Sequence, residues 1–317
     1  MASPGPEQGE LWVQLPNYGG AGRLAPDFFP MFTTRTEDWA EARQATVVWV
    51  LRVTSLRDPE VRLDDGFLRD TFLPRLEAWG IRLAVNMTGA TLAECNDFPR
   101  RIDDDGAEIE RLLRLGARIS SLSLQSPLSK VGGHDCAAYG RETGFDQRVA
   151  DIVRYAKVMA GRFPSITIGL VDAMPAKGWS YADVYRDLVA ALTDEGITLA
   201  FLHLDCPAES ASPGWSNVLE VENFVRNEMH VPFGLIYVSK VGGETSNVAF
   251  RDAVLAEYRD YHAAGGRPDH CVLTSWYRYP GANLAETDED SAPFMNLVRD
   301  FARVGGLSSS QRVGETR

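Results

Sequence analysis

The chain has 317 residues, 44% of them hydrophobic, and a formal charge of −12. That length fits one large α/β domain or two average ones, and no run of about 18 apolar residues exists to span a bilayer. An acidic chain without a clustered Lys/Arg run argues against nucleic acid and membrane surfaces as partners.

The four cysteines, Cys95, Cys136, Cys206 and Cys271, lie far apart and lack metal-type C-x-x-C spacing, so reduced thiols are expected. Residues 1–10 carry no basic-then-apolar pattern and are read as a flexible leader of a cytoplasmic protein.

The first strand is expected at Leu11–Pro16, followed by turn material from Asn17 to Gly22 and a helix over Asp38–Ala45. Thr46–Arg52 is β-branched and aromatic, as a buried strand is. A helix with Phe67, Leu68, Leu73, Leu76 and Trp79 follows, in which Pro74 marks a kink or a new first turn.

Ile81–Thr88 is the third strand, Ile109–Leu115 a short helix, and Ile119–Gln125 the fourth strand. Residues 126–144 form a long irregular segment, of a length that is commonly functional or disordered. Val149, Ile152, Val153 and Ala156 then recur at helical spacing.

The fifth strand is Ile166–Asp172, with a helix carrying Val184, Leu188, Val189 and Leu192 after it. Leu199–Asp205 is the sixth strand, stopped by Cys206-Pro207. The seventh is Phe233–Lys240, before a helix with Phe250, Val254, Leu255 and Tyr258. The eighth is Cys271–Tyr277, before a helix striped by Phe294, Leu297, Val298 and Phe301.

Eight strand–helix alternations predict a single-domain α/β fold, a (β/α)8 TIM barrel over residues 11–304 with a flexible tail at 305–317. The competing doubly wound sheet would carry G-x-G-x-x-G after its first strand, and that motif is absent.

Barrel chemistry is done at the C-terminal strand ends. Those ends offer Gln14, Asn17 and Tyr18, Arg52, Asn86, Gln125, Asp172, His203 with Asp205, Lys240, and Trp276, Tyr277 and Arg278. Strand ends also meet solvent, so any one of these residues is ordinary alone. Polar groups deeper in a strand, such as Ser121, Ser123 and His203, predict a wet lumen, because burying them unpartnered costs about 1–3 kcal/mol.

Asp172 and Asp205 end consecutive strands, so their carboxyl groups are expected roughly 5–8 Å apart. That range covers retaining and inverting glycosidase pairs, with one group as acid and the other as base or nucleophile. A purely structural pairing with Arg52, Lys240 or His203 is the alternative.

Tyr18, Trp179, Trp215, Trp276, Tyr277 and Tyr279 supply flat rings for a sugar face, or simply core. Lys240 opens a second possibility, Schiff-base lyase or aldolase chemistry, if it is desolvated. Asp172, His203 and Asp205, even with His134 and Asp135, do not make a convincing metal shell, so neither metal nor cofactor is expected.

Ser275-Trp276-Tyr277-Arg278-Tyr279-Pro280, the Ala285-Glu286-Thr287-Asp288 segment and the LHLD and DAMP strand ends carry a likeness. Together they resemble (β/α)8 barrels of the glycoside hydrolase superfamily, particularly poorly characterised bacterial members. The resemblance implies a hydrolase acting on a carbohydrate or related polyhydroxylated small molecule.

It also sets a departure in relief. Common glycosidase barrels place an acid/base Glu at the end of strand four and a nucleophilic Glu at strand seven. Here those ends are Gln125-Ser126-Pro127 and Ser239-Lys240. Either the acid pair has moved to Asp172 and Asp205, or a catalytically silent saccharide-binding barrel remains.

Overall fold

The computed structural model describes residues 9–18, 23–57, 63–87, 98–125, 145–174, 181–285 and 292–307. Eight parallel strands close in sequence order: β1 (Glu10–Val13), β2 (Val48–Arg52), β3 (Arg82–Met87), β4 (Ile119–Gln125), β5 (Thr167–Ala173), β6 (Leu199–Asp205), β7 (Phe233–Tyr237) and β8 (His270–Leu273). β8 pairs with β1 to complete the ring, as the (β/α)8 expectation requires.

Which strand face points into the lumen follows from contacts that cross it. Trp12 on β1 meets Phe201 and His203 on β6 at ring-centroid distances of 5.0 and 4.9 Å. β1 and β6 share no edge, so these side chains pack across the interior. Register carries the assignment around the ring: His203 lies beside Val171 and Gly234, Val171 beside Gln125, Ser123 beside Asn86, and Asn86 beside Arg52.

Two glycines make room for this filling. A Cβ on Gly169 would stand 2.2 Å from the Phe201 ring, and one on Gly234 would stand 2.4 Å from His203. Below the mouth the lumen is therefore a packed core.

The opposite strand faces are buried against helices. Trp49 on β2 joins Phe32, Trp39 and Phe72 in an aromatic cluster with centroid separations of 5.4 to 6.3 Å. Each such side chain contributes about 1.5–3 kcal/mol through burial.

The predicted faces of the last two helices are realised. Phe250, Val254, Leu255 and Tyr258 of Asn247–Ala263, and Phe294, Leu297, Val298 and Phe301 of Phe294–Gly305, are all buried.

Two helices differ from expectation. The one before β4 runs from Phe98 to Arg114, because Asp103, Asp104, Asp105 and Gly106 interrupt the apolar period without breaking the backbone. Around Pro74 the backbone stays helical, and the predicted new turn takes the form of a change in helix type. A π-helical turn, Leu68–Phe72, leads into a new helix, Leu73–Ala78, with Pro74 in its first turn. The wider turn suits a residue that has no N–H to donate.

β7 and β8 end earlier than predicted, at Tyr237 and Leu273. Lys240 and Trp276–Arg278 consequently sit on the connections beyond the strands. No helix among the described residues is long and apolar enough to cross a membrane.

Candidate active site

The C-terminal mouth of the lumen is formed by Gln14, Arg52, Asn86, Gln125, Asp205 and Thr274, each just at or beyond a strand end. Arg52 is the centre of one wall. Its Nη1 donates to the Leu15 carbonyl at 2.5 Å and its Nη2 to Thr274 Oγ1 at 3.1 Å. The Gln14 amide oxygen, in the orientation that satisfies both groups, accepts from Nε at 2.7 Å and from Nη2 at 3.2 Å. Burial lowers the guanidinium pKa to about 10, which leaves it charged at neutral pH.

Beside Arg52, Tyr18 donates its hydroxyl to Asn283 Oδ1 at 3.0 Å. Asp27 fastens that segment by accepting from Asn283 N, Asn283 Nδ2 and Leu284 N at 2.7, 2.9 and 2.7 Å. Burial first, then Asp27, pushes the Tyr18 phenol well above its ordinary pKa, so it stays neutral. Asn17 joins the same rim through its backbone N–H to the Ser275 carbonyl, at 2.8 Å.

A second wall comes from β3 and β4. Asn86 is 1% exposed and its Nδ2 donates to Ser123 Oγ at 3.3 Å. Asn86 Oδ1 and Ser121 Oγ are buried with no hydrogen-bond partner among the described residues. Gln125, half-buried, ends the strand above them. The polar upper lumen expected from Ser121, Ser123 and Gln125 is present.

Asp205 faces this space from β6. Among the described strand ends it is the one carboxylate on the lumen face, in register with Ala173 and Ile236. Asp172 is not its partner there. Asp172 pairs in register with Leu204, on the opposite face. It is 1% exposed, accepting from its neighbour's Ala173 N at 3.0 Å and from the Tyr185 hydroxyl at 2.6 Å. The expected convergence of Asp172 and Asp205 is thus corrected: consecutive strand ends put them in different layers, because the pleat alternates every residue.

His203 is also displaced from the role expected of it. It lies one lumen layer below Asp205, 2% exposed, stacked on Phe201 at 4.3 Å and bonded through Nε2 to His270 Nδ1 at 2.9 Å. Burial drives its pKa well below the ordinary value, and that of His270 to about 4. Both rings belong to the core.

Lys240 is exposed at the start of the helix Lys240–Thr245. The desolvated amine required for Schiff-base chemistry is therefore not found there. Trp276 and Tyr277 are half-buried, with ring centroids 5.6 Å apart, whereas Arg278 is exposed over Tyr279. Tyr277 packs against Gly243, where a Cβ would come within 2.6 Å.

One carboxylate beyond the sequence expectations stands near this group. Glu209, on the connection after β6, accepts from Ser239 Oγ at 2.5 Å, Val241 N at 2.9 Å and Lys240 N at 3.0 Å. Burial raises its pKa, but these hydrogen bonds outweigh it and leave the carboxyl below the usual range. The Tyr277 phenol is raised by burial first and, among its charged neighbours, by both Asp205 and Glu209.

Behind β7, away from the lumen, a cavity of about 490 Å³ opens between the Ala208–Trp215 connection and the helix Asn247–Ala263. Glu257 forms part of its wall, bonded through Oε2 to Val238 N at 2.9 Å. No cluster of three or more metal-ligating groups occurs among the described residues. Trp179, His134, Asp135 and Glu286–Asp288, named above as candidates, lie outside the described residues, as do Cys95 and Cys136.

Comparison with solved structures agrees with this architecture. A psychrophilic glycoside hydrolase family 10 endo-β-1,4-xylanase matches 86% of this chain and 87% of its own, with TM-score 0.54 and 11% identity. An intracellular xylanase from Thermoanaerobacterium saccharolyticum, in complex with xylotetraose, matches 90% of both chains, with TM-score 0.54 and 12% identity. A Cellvibrio japonicus xylanase in complex with xylopentaose covers 96% of this chain and 69% of that one, with TM-score 0.58 and 10% identity.

The chain shares the (β/α)8 fold of these xylanases. No family model matches it, and no curated protein matches it in sequence.

Proposed function

We propose that the chain is a glycoside hydrolase-like enzyme that binds a saccharide or related polyhydroxylated small molecule across the lumen mouth, with Asp205 as its acid/base carboxyl. The observation that carries this reading is the position of Asp205, alone among the described strand-end carboxylates on the lumen face, opposite a wall of hydrogen-bonding groups from β1 to β4. No second described strand-end carboxylate shares that face; the exposed Glu209 caps the start of the Lys240–Thr245 helix and lines the cavity behind β7. Asp205 also bears on the Tyr277 phenol beyond β8.

Arg52, Gln14, Asn86 and Gln125 orient substrate oxygens, while Trp276 and Tyr277 offer ring faces beside Asp205. Xylo-oligosaccharides, the ligands of the structural neighbours, are the first substrates to screen. We place the protein inside the cell, where Cys206 and Cys271 stay reduced as free thiols.

The test is turnover of an identified glycoside by Asp205→Asn, Glu209→Gln and Asp172→Asn. Loss of about a hundredfold or more in kcat for Asp205→Asn, with Glu209→Gln and Asp172→Asn retaining most of it, supports the assignment. Full kcat in Asp205→Asn removes it.

One observation favours a second reading. β4 ends in Gln125 and β7 is followed by Ser239, without the glutamates of common glycosidases. A binding barrel without turnover predicts thermal stabilisation by oligosaccharide and no product at high protein concentration.

A further inference from the structure

Arg52 carries a charge that no group among the described residues neutralises. Of its five N–H bonds, four are directed at the Gln14 amide oxygen, the Leu15 carbonyl and Thr274 Oγ1, all neutral acceptors. No carboxylate among the described residues pairs with it, and the one ionisable neighbour that bears on it is Tyr18. That phenol is held neutral. Asp27, the acid that bears on Tyr18, is occupied by the three donors from Asn283 and Leu284.

Neutral acceptors satisfy the geometry of a guanidinium but do not compensate its charge, and an uncompensated buried ion is costly. The cation sits in the mouth, partly open to it, with one Nη1 hydrogen unassigned among the described residues. β2 and β6 stand on opposite sides of the ring, so Arg52 and Asp205 face each other across the bound molecule.

We infer that the mouth is built for an anionic saccharide, with Arg52 binding an oxyanion, carboxylate or phosphate, that the sugar itself carries. This rests on the saccharide reading above and adds the charge of the substrate. The anion supplies the counter-ion that the described residues do not, through charge-assisted hydrogen bonds that are stronger than those to a neutral hydroxyl. The neutral groups Gln14 and Thr274 keep the fork in place without quenching it. A carboxylate in the Gln14 position would do so.

The decisive measurement is affinity, by calorimetry on the full chain, for glucuronate and galacturonate, glucose 6-phosphate, and the neutral sugars glucose and galactose. The wild type binds an acidic sugar about tenfold or more tightly than its neutral parent. Preference for the uronates assigns a carboxylate, and preference for the ester assigns a phosphate.

Gln14→Glu places an internal counter-ion beside the guanidinium. It brings the acidic-to-neutral ratio to about one and raises Tm without ligand, a gain that loss of folding cannot mimic. Equal affinity for acidic and neutral sugars in the wild type, or an unchanged ratio in Gln14→Glu, overturns the anionic subsite while leaving the saccharide reading intact. Absence of binding by every sugar removes both.

Discussion

Replacing His270 by Gln isolates the contribution of one buried imidazole to acid lability. His270 is bonded to His203 at 2.9 Å inside the barrel, and its side chain is 13% exposed. Burial lowers its pKa to about 4 from an ordinary 6.5, against the opposing pull of Glu10 and Asp269. The folded state thus binds fewer protons than the unfolded chain between these values, so stability falls as pH falls through that window.

Above about pH 6.5 both states hold the ring neutral and the stabilisation is complete. Below about pH 4 both are protonated and no further loss accrues. A difference of about 2.5 pH units corresponds to about 3 kcal/mol at 1.36 kcal/mol per unit. Urea unfolding of wild type and His270→Gln at intervals from pH 7.5 to 4 measures it. The wild-type ΔG drops by about 3 kcal/mol more than that of the variant, whose amide does not titrate. Parallel curves for the two proteins would refute the neutral buried pair.

Three further outcomes follow from particular contacts. Asp172→Asn and Tyr185→Phe each destabilise by about 1–3 kcal/mol in urea unfolding, with non-additive effects in the double variant, because they share one buried hydrogen bond. Glu257 is 2% exposed and burial raises its carboxyl well above 4.5. It therefore stays protonated in the fold while the unfolded chain ionises, and stability is lost as pH rises above about 4.5. Glu257→Gln should be more stable than wild type at pH 8 and equal to it at pH 4; equal ΔG at both would contradict this. Gly169→Ala forces a methyl into the Phe201 ring and should lower stability by about 1–3 kcal/mol, read as a reduced Tm.

The barrel was legible because its signals are local and repeated. Apolar strands with polar ends, such as Leu199–Asp205, alternate with helices whose stripes are three and four residues apart. The orientation of β5 was not legible in the same way. Both of its faces are apolar, so Ile168 and Leu170 read no differently from Val171, and Asp172 looked like a mouth residue. The cue was Gly169, which is small because Phe201 occupies the lumen opposite it, and which places every odd residue of that strand inside.

The Arg52 wall was legible as residue types but not as a network. Tyr18 and Asp27 follow β1 while Thr274 and Asn283 follow β8, two distant segments that only closure of β8 on β1 brings together. His203 showed the limit of reading a lone polar residue in a strand. Its partner, His270, is 67 positions away at the start of β8.

The most direct measurement is a crystal structure of the protein soaked with a mixture of neutral and acidic oligosaccharides. Density for a sugar spanning the mouth, with a glycosidic oxygen within hydrogen-bond reach of Asp205 and an oxyanion on Arg52, is the predicted result. Sugar bound instead in the cavity beside Glu257, with the mouth filled only by solvent, would contradict the account.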